Sequence, residues 1–367
     1  MKKPQHGPSQ YYASDRSIFD ALNQSKVDAD TIQKLFERRN IVCSKRTPRS
    51  DLSRYFSRLT HDQIDHQDIS RRLGISARRE RITSVDLQAE LTKDQITCAI
   101  EGLAATLKIG GDVVQISIDG GTTSLLVQYS EIDYKRSEFS QVQQRDGHIE
   151  LVKSGDQYVL RNTQSEYMNA VRDELVKHLE NESEKPITRT VVSFFEIQSP
   201  SVRSKFFYDL MSELPGYVRR DVTDVFVYKA RAEATDEDDE ASKESHIERI
   251  LMRGNGVMQS KLLNDLLTEK RYHISKVGWV ATELQGKGYG FDIEAAFNDP
   301  KDCTGFSYLL RGVHELDDSG KLNKARRSPL PGEVDVISRA IENKARELMA
   351  KISAAQAESN LKPAKSS

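Results

Sequence analysis

The sequence predicts an α+β fold, and three observations carry the prediction. Apolar residues recur at helical spacing near both ends of the 367-residue chain. Period-two runs occupy the middle. Two similar helical segments, each flanked by strand-like runs, follow. The charge is unevenly spread as well: residues 1–81 carry 17 Lys/Arg against 10 Asp/Glu, and the remainder 37 against 46. The formal net charge of −2 hides this split. A basic end on an otherwise acidic chain points to a polyanion.

The elements follow in order. Residues 1–14 read as frayed. Ile18, Phe19 and Leu22 mark a short amphipathic helix. Asp30 and Gln33 fit a capping box for a second, bearing Ile32, Leu35 and Phe36. Thr47-Pro48 opens a third, with a cap residue before proline at the first helical position. Its Leu52, Tyr55, Phe56 and Leu59 lie on one face. A fourth spans about 61–73 and stops at Gly74. Arg78, Arg79 and Arg81 sit in a connector.

Thr92 and Gln95 form another capping box, opening a helix with Ile96, Ile100, Leu103 and Leu107 on one side and Gly110-Gly111 at its end. The period then changes to two. Residues 112–119 and 123–134 read as strands joined at Gly120-Gly121, and 148–153 and 157–162 as a hairpin across Ser154-Gly155-Asp156. A helix at about 165–180 follows.

Residues 204–213 (SKFFYDLMSE) match 260–269 (SKLLNDLLTE) at five of ten positions, and four of the others are chemically close. Each is a helix between strands: 188–196 and 222–230 around the first, 247–252 and 273–283 around the second. Two consecutive βαβ units make the βαββαβ order of a ferredoxin-like sandwich. The acidic run Thr235 to Ser245 would be the solvated loop between them. Residues 289–297 and 305–315 add a hairpin. After Pro329 to Gly332, a helix from about 333 to 354 carries Val334, Ile337, Ile341, Leu348 and Ile352 on one stripe. That stripe docks on its own chain or on a second copy. The expected organisation is a basic helical module at 1–82, a mixed α/β region at 83–183, a duplicated βαβ (ferredoxin-like βαββαβ) domain with an added hairpin at 184–330, a C-terminal helix at 331–354 and a disordered tail at 355–367.

Composition narrows the class. The Met-Lys-Lys start leads into no apolar stretch, so no signal peptide is expected. No apolar run approaches the ~18 residues of a membrane span. Three scattered cysteines suggest a reducing cytoplasm and offer no metal-site spacing.

The second and third helices, with their connection, resemble a SAP or HeH (helix–extension–helix) module. The resemblance covers only about Val27 to Leu59. It rests on Ile32, Leu35, Phe36, Ile41, Val42, Leu52, Phe56 and Leu59, and on the basic loop Ser44-Lys45-Arg46-Thr47-Pro48-Arg49. The family's usual loop glycine is missing, and the loop is a residue or two longer. The resemblance implies phosphate contacts with duplex DNA through Lys45, Arg46, Arg49 and Arg54, with Arg38 and Arg39 flanking. The physics agrees, because helix N-termini favour anions and Arg forks match phosphate oxygens. A solvated basic rim on a helical docking module is the plainer alternative.

Other motifs compete. Asp119, with Asp133 and Lys135, mimics the acid, then acid-x-Lys pattern of metal-dependent nucleases, in which two carboxylates hold Mg²⁺ and the lysine helps activate water. Asp119-Gly120-Gly121-Thr122-Thr123 also looks like the first phosphate loop of sugar-kinase/actin-type ATPases, but it lacks partner loops and equally suits a hairpin turn. Gln285 to Gly290 is glycine-rich without a following helix, so it reads as a hairpin connection. Phe194 and Phe195 offer one stacking ring, and the strand Ile247 to Met252 offers none, so the usual RNA-binding platform is not expected. Trp279 reads as core.

Three functional expectations result. The leading one is a non-catalytic, cytoplasmic, nucleic-acid-associated binding protein, one subunit of a larger bacterial complex. It needs no cofactor, and it would meet a protein partner or a second copy through the C-terminal helix. The second is a nuclease using Asp119, Asp133 and Lys135 with Mg²⁺. The third is a scaffold subunit of a mobile-element or defence system, without nucleic-acid contact.

Overall fold

The computed structural model describes residues 14–73, 80–119, 122–135, 138–229, 247–254, 256–268, 271–317 and 319–361. The expected frayed residues 1–13, the connector residues Arg78 and Arg79, Gly74, the Gly120-Gly121 turn and the acidic run at 235–245 lie outside the described residues.

In chain order the helices are α1 Asp15–Asn23, α2 Ala29–Glu37, α3 Arg49–Ser57, α4 Gln63–Leu73, α5 Lys93–Ile109, α6 Glu138–Gln141, α7 Glu166–Ser183, α8 Pro200–Ser212, α9 Lys261–Thr268 and α10 Pro331–Leu361. The strands are β1 Ile82–Gln88, β2 Val113–Asp119, β3 Thr122–Ile132, β4 Val142–Ser154, β5 Gln157–Thr163, β6 Thr188–Thr190, β7 Tyr217–Lys229, β8 Arg249–Arg253, β9 Tyr272–Glu283, β10 Gly290–Asp299 and β11 Thr304–His314. The protein is therefore α+β, with a large antiparallel sheet.

The chain divides into two compact units, the first of residues 1–78, 91–150 and 170–185, the second of 79–90, 151–169 and 186–367. In the first, α1 to α4 enclose a small core of Ile18, Leu22, Ile32, Leu35, Phe36, Phe56 and Ile69. Phe36 stacks on Tyr55 and meets Phe56 edge-on, which fixes α2 against α3. Helix α5 begins with the expected capping box, Thr92 and Gln95 each serving the other's backbone. Strands β2 and β3 form a hairpin pairing Asp119 with Thr122.

In the second unit the strands order as β5-β1-β11-β10-β9-β7-β8, with β6 also on β1. One face packs under α8, α9 and α10 around Phe206, Phe207, Trp279, Phe297 and Tyr308. Trp279 is fully buried, as expected of a core residue. The repeat acts through its helices: Phe207 and Leu263, and Leu210 and Leu266, are equivalent positions buried in that one core. The stripe of α10 is buried there too, through Ile337, Ile341, Ala345 and Leu348. Arg161 clamps Glu342 of α10 through Nε–H and Nη2–H, both at 2.8 Å, and the Tyr308 hydroxyl donates to the same carboxylate at 2.5 Å.

Several expectations are corrected. The ferredoxin-like duplication does not appear. Strand β7 is flanked on both sides by antiparallel neighbours, β8 and β9. The expected first strand is only Thr188–Thr190, and it pairs with β1. Beyond it the backbone is claimed elsewhere: the Phe194 N–H donates to the Cys303 carbonyl, and buried Arg203 donates to the Phe194 and Ile197 carbonyls. Strand β1, absent from the expected elements, alternates inward Thr83, Val85 and Leu87. Helix α10 continues through residues 355–361, expected as part of a disordered tail. Asp28 rather than Asp30 caps α2, accepting the Thr31 N–H at 2.7 Å. Pro48 is the N-cap of α3 rather than its first helical residue.

Candidate nucleic-acid interface

Three local features shape the basic segment. Helix α2 ends at Glu37 and a turn follows to Asn40, whose left-handed φ of 55° lets the Ile41 N–H turn back to the Phe36 carbonyl at 3.1 Å. Residues 41–48 then form the extension, which starts extended, with Val42 95% exposed, and closes in a turn where the Thr47 N–H donates to the Ser44 carbonyl at 3.1 Å. Helix α3 starts after Pro48 with no side-chain cap; the Asp51 and Leu52 N–H groups donate to the Pro48 carbonyl at 3.0 and 3.2 Å, which leaves the Arg49 and Ser50 N–H groups at the helix start.

The six expected contacts separate into three groups. Arg39 and Arg49 are turned inward. Arg39 pairs with Asp65, donates to the Thr60 carbonyl at 2.8 Å and the Leu35 carbonyl at 3.0 Å, and lies 4.5 Å over the Phe56 ring. Burial pushes the Asp65 carboxyl up, but the Arg39 guanidinium and the Asp62 N–H outweigh it and hold the group below its usual range. Arg49 donates to the carbonyls of Leu22 and Gln24, each at 2.8 Å, and to that of Val27. It ties the α1–α2 connection to the start of α3. Neither guanidinium faces solvent as a free fork. Arg38 is intermediate in role: half-exposed, it pairs with Asp68.

Lys45 and Arg46 are exposed on the extension and make no ion pair among the described residues. Arg54 is exposed, with Asp51 3.9 Å away. It also lines an open cleft of about 400 Å³ between α1 and α3, with Arg16, Arg58, Phe19 and the acids Asp15 and Asp20. Arg16 and Arg58 were not among the expected contacts. Their spacing along two separate helices carries no local pattern, and only the packing of α1 on α3 brings them together.

The nuclease residues are not brought together. Asp119 closes β2 beside Thr122, the first residue of β3, whereas Asp133 follows the last. Eleven residues of extended strand separate the two ends, about 36 Å at ~3.3 Å per residue. One ion with ligands at ~2–2.6 Å cannot join them. Asp133 instead accepts the Lys135 backbone N–H at 3.0 Å in a local turn, and Lys135 is exposed. Among the described residues no three His, Cys, Asp or Glu side chains converge as metal ligands.

A second charged constellation lies on the sheet face of unit two away from the helices. Arg311 of β11 holds Asp224 of β7 in a fork at 2.7 and 3.0 Å and also reaches Glu294. Lys276 meets Glu294 at 2.9 Å, and Arg326 pairs with Asp292. Gly278 makes the room, since a Cβ there would come within 2.4 Å of Asp224. Every carboxylate in the set has a cationic partner, so the arrangement joins strands and exposes no unpaired acid or base.

Among the described residues no helix is long and apolar enough to cross a membrane. No protein-family model matches the chain, and no curated protein matches it significantly.

Proposed function

We propose that this protein is a non-catalytic, nucleic-acid-associated binding protein whose helical module meets duplex DNA phosphates at the 41–48 extension and the start of α3. The observation that carries the reading is the pair Lys45 and Arg46, exposed and without ion partners among the described residues, beside a helix N-terminus with no side-chain cap. Cations next to backbone N–H groups at a helix start match a phosphate's charge and its acceptor geometry. Arg54 adds a third cation on the same helix. Contacts of this kind position a duplex and read no bases, so binding is sequence-tolerant. Arg39 and Arg49 serve the same surface indirectly, by fixing the helices that present it. A cytoplasmic location and membership of a larger complex belong to the same proposal, and the free thiols Cys43, Cys98 and Cys303 accord with the former.

The test uses the full chain with a fluorescent 20-bp duplex at 50 mM salt. Anisotropy should report binding that Lys45→Ala/Arg46→Ala weakens at least tenfold, with unchanged circular dichroism. Wild-type protein that leaves the duplex unbound at this salt would remove the proposal.

A further inference from the structure

The strand register of unit two assembles a surface that no local motif announces. On the face away from α8, α9 and α10, Phe226 of β7 stands opposite Leu251 of β8, Tyr228 opposite Arg249, and Asp224 opposite Arg253. Directly opposed residues share a face, whereas the neighbouring pairs Val225–Met252 and Val227–Ile250 turn into the core. Phe226 and Tyr228 are half-buried, and Leu251 is 49% exposed. The Arg249 guanidinium lies 5.7 Å from the Tyr228 ring centroid. Arg311 occupies the Asp224 carboxylate, so Arg253 makes no ion pair among the described residues, and neither does Arg249.

We infer that this face of β7 and β8 is a binding platform for single-stranded nucleic acid. Phe226 and Tyr228, two residues apart on one strand and about 6–7 Å along it, meet successive unpaired bases with the part of each half-buried ring that its neighbours leave open, which at Tyr228 are His273 at 5.8 Å and Arg249. Flanking guanidiniums meet the phosphates and extend the stack. Charge complementarity selects the occupant: the surface offers cations that have no ion pair among the described residues beside aromatic rings, whereas an apolar protein partner would leave those guanidiniums desolvated and unmatched. A duplex keeps its bases stacked inside and cannot use the rings. The platform is separate from the duplex contacts proposed for Lys45 and Arg46 and stands without them.

The experiment measures anisotropy of fluorescent dT15 and of a 15-bp duplex with the full chain, at 50 to 200 mM salt. Wild-type protein should bind dT15. Tyr228→Leu, which keeps the apolar bulk and removes the ring, should weaken dT15 binding by about 5- to 150-fold and leave the duplex affinity unchanged. Arg249→Ala/Arg253→Ala, both at exposed positions, should lower the dT15 salt slope by about 1.4, and this pair decides the question if Tyr228→Leu fails to fold. Lys45→Ala/Arg46→Ala should leave dT15 binding intact, so the two surfaces fail independently. Absence of dT15 binding would overturn the inference. So would dT15 affinity unmoved by Tyr228→Leu or by the arginine pair, or polyglutamate binding as tightly and equally insensitive to Tyr228→Leu, which would mark a mere polyanion surface.

Discussion

Arg39 separates a supporting role from a binding role most sharply. Its guanidinium holds Asp65, whose side chain is 3% exposed, and satisfies the Thr60 and Leu35 carbonyls. Arg39→Ala strips all three and leaves the buried carboxylate without its guanidinium, held by the Asp62 N–H at 3.2 Å. Removing one partner of a buried pair costs about 3–5 kcal/mol. At ~1.4 kcal/mol per decade, amide exchange in peptides from α2, α3 and α4 should accelerate by about two to nearly four decades, or reach the limit set by unfolding of the module. Hydrogen exchange with mass spectrometry on the full chain reads this directly. Peptides from unit two should keep their wild-type protection. The double variant Arg39→Met/Asp65→Leu should recover much of the loss, since it buries no unpaired charge. Near-wild-type exchange in Arg39→Ala, together with lost duplex binding, would refute the reasoning and return Arg39 to the contact surface.

Three further outcomes follow from unit two. Tyr308→Phe removes the hydroxyl that donates to Glu342 at 2.5 Å, and should lower stability by about 1.5–3 kcal/mol in urea unfolding. Gly278→Ala places a Cβ 2.4 Å from Asp224 and 2.7 Å from Arg311, so the ion pair must shift; a loss of about 1–3 kcal/mol is expected, and an unchanged urea midpoint would contradict the packing described. The third concerns pH. Burial raises the Asp224 carboxyl, but hydrogen bonds from Arg311 outweigh it and hold the folded value below the usual carboxylate range. Its contribution is therefore present above about pH 4 and is lost as pH falls through the lower folded value. In Arg311→Met the largest lowering partner is gone while Thr223 and Lys276 remain, so the folded value moves up toward the unfolded one. That variant should lose less stability than the wild type as pH falls from about 5 to about 3, measured by urea midpoint.

Much of the fold was legible where its causes are local. The Thr92–Gln95 capping box, the Phe36/Phe56 helical faces and the α8/α9 repeat all depend on residues within one turn or one helix. What escaped is non-local. Strand β1 is defined by partners far along the chain, Thr163 on β5 and Tyr308 on β11, both opposite Ile82. The repeat implied βαβ units, but β7 took antiparallel neighbours on both sides. The same limit applied to the candidate site. Lys45 and Arg46 could be named from a basic loop before a helix. The inward turn of Arg39 and Arg49 depends on Asp65 and on the Leu22–Val27 carbonyls, more than twenty residues away, and no spacing rule exposes it.

The central claim is that Lys45 and Arg46 contact duplex phosphates, and salt dependence tests it most directly. Each phosphate contact contributes about 0.9 to the slope of log affinity against log salt. Full-length protein with Lys45→Ala/Arg46→Ala should therefore show a slope shallower by about 1.8 than wild type, at every duplex sequence tried. An unchanged slope, with affinity and fold intact, would contradict the account.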